Sequence, residues 1–193
     1  MHKLIATLAA GAAAVGLVAT ATTATAEPPA RTTIVDKVVE VSGPSGFDTT
    51  NDFDILREAV LATEGSAELL SGKRQLTVFA PTDSAFIALA DALDDEVITT
   101  EAAAFAKLAT TLGVDTIGAV LKYHIAPGER LSGDVVPAER IRTLSGGFLT
   151  KDAGSITFDQ GVPAPASILV GAGLFDIEVD NGVIHAIDAV LVP

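Results

Sequence analysis

Beyond the N-terminal segment, two histidines, one tyrosine and a scatter of aspartates are the side chains here with chemistry to offer. His124 and His185 could titrate near neutrality or ligate a metal. Ser84 could act as a nucleophile beside an imidazole, and Asp83, Asp176 and Asp188 as acids, bases or ligands. Their spacing speaks against most of this. Ser84 follows Thr82 closely, outside any G-x-S-x-G elbow, and its hydroxyl suits a helix cap. His124 and His185 stand on different elements without ligand spacing, so a set with one carboxylate has no motif behind it, and no metal is expected. There is no phosphate loop, dinucleotide fingerprint or H-E-x-x-H. Gly171-Ala172-Gly173 lacks a third glycine and precedes a strand. The residues therefore imply a protein without catalytic machinery or cofactor.

Architecture is the competing use of these groups. Ile117, Val120, Leu121 and His124 recur at i, i+3, i+4 and i+7, which puts His124 in an apolar stripe as a hydrogen-bonded core imidazole. As a polar contact it would have to leave that stripe. Tyr123 lies about a hundred degrees further round the helix and is the better surface contact. Asn181-Gly182 is the strongest two-residue hairpin signal, and a turn on that pair sets His185 opposite Glu178. Asp83 and Asp188 sit among apolar residues, where a carboxylate must be satisfied. Asp83 is expected to accept amides at a helix start, and Asp188 to find a partner in a neighbouring element.

The positioning elements read as follows. Leu76 to Ala80 is an unbroken apolar run, hence a central strand covered on both faces. Pro81 stops it, Thr82 or Asp83 caps the next helix, and Phe86, Leu89, Ala90 and Leu93 give that helix its buried face. Upstream, Thr33 opens a short helix carrying Ile34, Val35, Val38 and Val39 to a Gly43-Pro44 stop. Asn51 or Asp52 caps a second helix through Phe53, Leu56 and Val60, and Ser66 to Leu70 is a third segment. Downstream, Thr99 or Thr100 caps a helix ending at Gly113, and Asp115 or Thr116 caps the one that Pro127-Gly128 closes. Strands are expected at Arg140 to Leu144, Phe148 to Lys151, Ser155 to Asp159, Ser167 to Val170, Phe175 to Val179 and Val183 to Val192. Helices first and strands later make the class α+β, in one domain over 34–193.

Met1 to Ala26 combines a basic start, a short apolar middle and a small-residue junction, the pattern of a signal peptide cleaved after Ala26. Residues 27–33 read as a flexible leader, and no membrane anchor is expected in the mature chain, which would be secreted or periplasmic. Losing Lys3 with that segment leaves 11 − 25 = −14 formal charges, so no nucleic-acid footprint is present. The absence of cysteine removes disulfides and thiolate chemistry.

TVFAPTDSAF at Thr77 to Phe86, Tyr123-His124 followed by Ile125, and NGVIHAIDAVLVP at Asn181 to Pro193 together resemble the fasciclin domain family. The resemblance implies a small β-sandwich or wedge with helices packed on it, with Thr82, Asp83, Phe86, Asn181, Gly182, His185 and Asp188 in the structural boxes. It further implies exported proteins that contact a protein or glycan at a cell surface or matrix. In animal relatives a Tyr-His pair and an Asp-Ile pair are implicated in integrin contact, and these map onto Tyr123-His124 and Asp176-Ile177. Some fasciclin-like proteins carry a small hydrophobic ligand such as a carotenoid, which the apolar, aromatic-poor composition allows.

Overall fold

The computed structural model of the protein describes residues 31–43, 47, 52–93, 97–171 and 173–193. The expected signal segment, residues 27–30 of the leader and the Asn51 cap lie outside the described residues. The first half is helical: α1 (Ile34–Ser42), α2 (Asp54–Ala62) and α3 (Ser66–Ser71) precede strand β1 (Leu76–Pro81), and α4 (Asp83–Ala92), α5 (Glu101–Leu112) and α6 (Val114–Tyr123) follow it. After β2 (Ile125–Pro127) and the single turn α7 (Ser132–Val135) the chain turns to strands. They are β3 (Arg140–Arg142), β4 (Phe148–Thr150), β5 (Thr157–Phe158), β6 (Gly161–Val162), β7 (Ala166–Ser167), β8 (Ile177–Val179), β9 (Gly182–Ile187) and β10 (Val190–Leu191). The class is α+β. Among the described residues no single helix is long and apolar enough to cross a membrane.

Local signals account for most helix ends. Thr33 and Asp36 form a capping box on α1, and Gly43 leaves it at φ 69°. Thr100 accepts the Ala103 amide to open α5, which Gly113 ends at φ 78°. The same Gly113 then starts α6, so neither Asp115 nor Thr116 is its cap. Of the leader, Thr32 exchanges two hydrogen bonds with Asp180, through its amide (2.7 Å) and its carbonyl (2.9 Å), so residues 31–33 are tied to the β8–β9 turn.

The central sheet runs β2-β1-β9-β8, with β1 and β9 parallel and the other two pairs antiparallel. Both β1 and β9 are buried at every position, as the missing alternation in β1 requires. Val78, Ala80, Ile184 and Ala186 face a core shared with the helices. Phe79 and Ile187 face a second core with Tyr123, Ile141, Leu149 and Phe158. Each fully buried Phe or Ile contributes roughly 1.5–3 kcal/mol.

Three strand expectations change. The terminal strand is not continuous: it breaks at Asp188 and Ala189, and β10 pairs with β6, a strand the Pro163 and Pro165 loop had concealed. Asp188 is exposed at that break, its carboxylate accepting the Ser167 amide at 2.6 Å, so its surroundings are solvent on one side. The last hairpin turns on Asp180 and Asn181, because Val179 pairs with Gly182 and Glu178 with Val183. Gly182 is needed inside β9 for a different reason: a Cβ there would sit 1.9 Å from the Leu76 carbonyl oxygen.

Candidate functional site

Tyr123 and His124 end α6 and lead into β2, at one edge of the sheet. Tyr123 is buried, not a surface contact: its ring lies against Gly147, where a Cβ would fall 2.8 Å from Cε2, and its hydroxyl donates to the Phe148 carbonyl at 2.9 Å. The flank of the α6 stripe is covered by the β3–β4 hairpin, a long-range contact that helical spacing cannot reveal. Burial pushes the phenol's pKa up.

His124 is a core imidazole, 2% exposed. Its Nε2 accepts the Leu191 amide at 2.9 Å, so Nδ1 carries the proton and donates to the Val120 carbonyl at 2.7 Å. Burial lowers its pKa to about 4, opposed by the Val120 bond.

His185 does not meet Glu178. Its Nε2 donates to the Arg130 carbonyl (2.8 Å), while Nδ1 accepts the Asp176 amide (3.3 Å). Phe79 and Phe175 flank the ring at 5.7 and 5.1 Å between centroids. Burial again lowers the pKa, against the Arg130 carbonyl and the Asp176 carboxylate 3.7 Å away. Asp176, at φ 53°, spends one carboxylate oxygen on the Ser132 amide that opens α7 (2.7 Å). Ile177 begins β8, half-buried, beside the exposed Glu178.

The two pairs are not brought together. Ile125, Val78, Ile184 and Ile177 form one register row across β2, β1, β9 and β8. Tyr123-His124 and Asp176-Ile177 therefore flank opposite ends of that row, about 14 Å apart at three strand spacings.

Among the structural residues, Thr82 sits at the N-cap of α4 without a side-chain cap bond. Phe86 is buried in the helical core. Asp83 turns away from its own helix and caps α2 instead, accepting the Asp54 amide at 3.1 Å and the Ile55 amide at 2.7 Å. Phe53 at the α2 N-cap supplies no side-chain bond, and the fold lends it a carboxylate from the neighbouring helix. Burial and a hydrogen bond with Asp52 raise the Asp83 pKa to about 8, against the two amides.

Asp52, Asp83 and Glu101, which no motif connects, meet in the fold, all buried, with carboxylate oxygens within 4.8 Å of one another. A hard cation could bridge such oxygens, and a proton between Asp83 and Asp52 meets the same electrostatic need. Their spacing in the chain carries no signal, because each belongs to a different helix start.

These titrations predict a pH profile. The folded pKa of His124 is depressed, so its stabilisation is present above 6.5 and lost as pH falls towards 4. The folded pKa of Asp83 is raised, so its stabilisation is present below 3.8 and lost as pH rises towards 8. Below 6.5 the His124 and His185 slopes oppose the Asp83 slope, and above 6.5 the Asp83 loss remains as a decline in stability towards pH 8. Urea melts across this range are expected to lose that decline in Asp83→Asn relative to wild type. Parallel profiles for the two proteins would refute the assignment.

Two apolar clefts flank α2. One lies between α1 and α2, lined by Val35, Val38, Leu56, Val60 and Leu121. The other lies between α2, α5 and α6, lined by Ile55, Phe86, Phe105 and Leu108. His124 forms part of both walls.

Comparison with known proteins now adds to this geometry. The model of the Fasciclin domain matches residues 51–193. Protein sll1483 of Synechocystis sp. is 31% identical over 156 residues, 81% of this chain and 73% of the relative. Uncharacterized protein sll1735 of the same organism is 29% identical over 139 residues, 72% of this chain and 88% of the relative. Among solved structures, a FAS1 domain pair from the insect cell adhesion molecule Fasciclin I superposes with a TM-score of 0.52 at 16% identity, over 78% of this chain. This chain spans about half of that solved chain, 52%, and the likeness is one of fold. With β1 and the β8–β9 hairpin side by side in the sheet and a family match over most of its length, the chain belongs to the fasciclin domain family.

Proposed function

We propose that this protein is an exported, non-enzymatic fasciclin module that makes adhesive contacts with a protein or glycan at a cell surface or in a matrix. The observation carrying this reading is the rim of the central sheet at Asp176 to Glu178. There an edge strand, half-buried Ile177 and exposed Glu178 coincide with the Asp-Ile pair that the family resemblance associates with contact. The fold-level likeness to a domain pair from a cell adhesion molecule supports it. So does the use of both imidazoles as internal props, each ring bonded to backbone through both nitrogens. Export rests on the signal-type segment at Met1 to Ala26.

Beads coated with the purified protein test this against cells of the source organism. Glu178→Arg reverses an exposed charge without touching the core and is expected to reduce bead capture several-fold. Equal capture by wild type, variant and uncoated beads would sink the adhesive reading.

The clefts beside α2 favour a second reading, a carrier of a small hydrophobic ligand such as a carotenoid. Their narrowness decides its rank: the centre of a water-sized sphere has only about 30 Å³ to move through in each, so a pigment needs α1 or α2 to swing outward. An absorbance spectrum and mass spectrometry of an organic extract of protein from the native host separate the two. A stoichiometric pigment establishes the carrier, and a colourless, ligand-free protein removes it.

A further inference from the structure

The β3–β4 hairpin is a two-stranded plate with one wet face. Ile141 and Leu149 point into the second core at 1% and 0% exposure, so the alternate positions Arg140, Arg142 and Phe148 must face solvent. Phe148 keeps 42% of its surface open. The plate is held from beneath by the Tyr123 hydroxyl on the Phe148 carbonyl, and at its ends by Leu144 N–H to the Ile125 carbonyl (2.7 Å) and Lys151 N–H to the Glu139 carbonyl (3.1 Å). Arg142 stands directly across from Phe148. The Arg140 guanidinium lies 4.2 Å from the Phe148 ring centroid, a cation–π contact.

Charge makes this face unusual. In a chain with 25 acidic residues, neither Arg140 nor Arg142 forms an ion pair among the described residues. Asp159 accepts the Thr150 hydroxyl at the end of the plate (2.9 Å) and leaves both forks open. Guanidinium forks match carboxylates with paired donors, and an exposed phenyl offers an apolar surface to the C–H face of a sugar. An open two-stranded face suits an extended polymer better than a small molecule.

We propose that the outer face of the β3–β4 hairpin binds an acidic polysaccharide, with uronate carboxylates on Arg140 and Arg142 and a sugar ring against Phe148. This surface is separate from the β8 rim, and the inference goes beyond the adhesive reading. The purified protein is titrated at low salt with polygalacturonate, with dextran as the neutral polymer and phosphatidylglycerol vesicles as the anionic surface. Saturable binding to polygalacturonate alone is expected. The double variant Arg140→Gln/Arg142→Gln, with an unchanged melting temperature, is expected to weaken it about tenfold. Phe148→Ala is expected to weaken it less, and Arg74→Gln, an exposed cation elsewhere, to leave it unchanged. No binding to polygalacturonate, equal binding to dextran, preference for vesicles, an unaffected double variant or an equal loss in Arg74→Gln would each overturn the proposal. Those outcomes leave bead capture through Glu178 untouched, so the two readings fail separately.

Discussion

Gly182→Ala is expected to remove a large share of the protein's folding stability. The methyl group would sit 1.9 Å from the Leu76 carbonyl oxygen, 2.9 Å from its carbonyl carbon and 3.0 Å from its nitrogen. Those are main-chain atoms of the neighbouring central strand, so no rotamer change relieves the clash. The residue also sits at φ 150°, a conformation that L side chains rarely adopt. Overpacking and backbone strain together cost roughly 3–6 kcal/mol, against a typical domain stability of about 5–15 kcal/mol. Gly171→Ala is the control, because a Cβ there meets nothing within 4 Å. Urea melts followed by far-UV circular dichroism decide the matter. A Gly182→Ala melt within about 1 kcal/mol of wild type would contradict the close approach of β1 and β9.

Asn181→Ala is expected to cost about 3–5 kcal/mol, because one carboxamide makes three hydrogen bonds to two separate helices. Its Oδ1 accepts the Ile34 amide at the start of α1 (2.8 Å). Its Nδ2 donates to the Leu70 and Gly72 carbonyls at the end of α3 (2.7 and 2.9 Å). Alanine orphans all three backbone groups in a site that is 3% exposed. The loss is also expected to be local. Hydrogen exchange at the first amides of α1 rises in the variant, while the β1 and β9 amides keep their protection. Uniform loss of protection across both would instead show that Asn181 acts on the whole fold.

Residue spacing foretold the elements whose information is local. The α1 stripe, the Thr100 cap and the unalternated β1 all depend on neighbours within a few positions, and they appear as expected except that Val39, the fourth member of the stripe after Ile34, Val35 and Val38, is exposed. The errors share a different cause. Tyr123 is covered by a hairpin that begins at Arg140, Asp83 caps a helix that precedes it by almost thirty residues, and His185 is held by the Arg130 carbonyl. Each is a hydrogen bond between distant segments, and helical or strand periodicity says nothing about which segments meet. Asn181-Gly182 misled for a subtler reason. Both residues have turn chemistry, yet the asparagine is used as a buried clamp and the glycine as a gap for a neighbouring strand. The resemblance to a family was legible because it rests on composition within those same boxes.

The middle of the sheet is a seam between a strand made early and one made late. While the chain is still emerging from the ribosome, β1 has only β2 to lie beside, and the start of α1 still lacks its clamp. The centre of the sheet and the clamp on α1 are thus completed only once residues 181–187 have been added. A central pairing between segments so far apart in the chain slows folding, because the loop between them must close before the pairing forms.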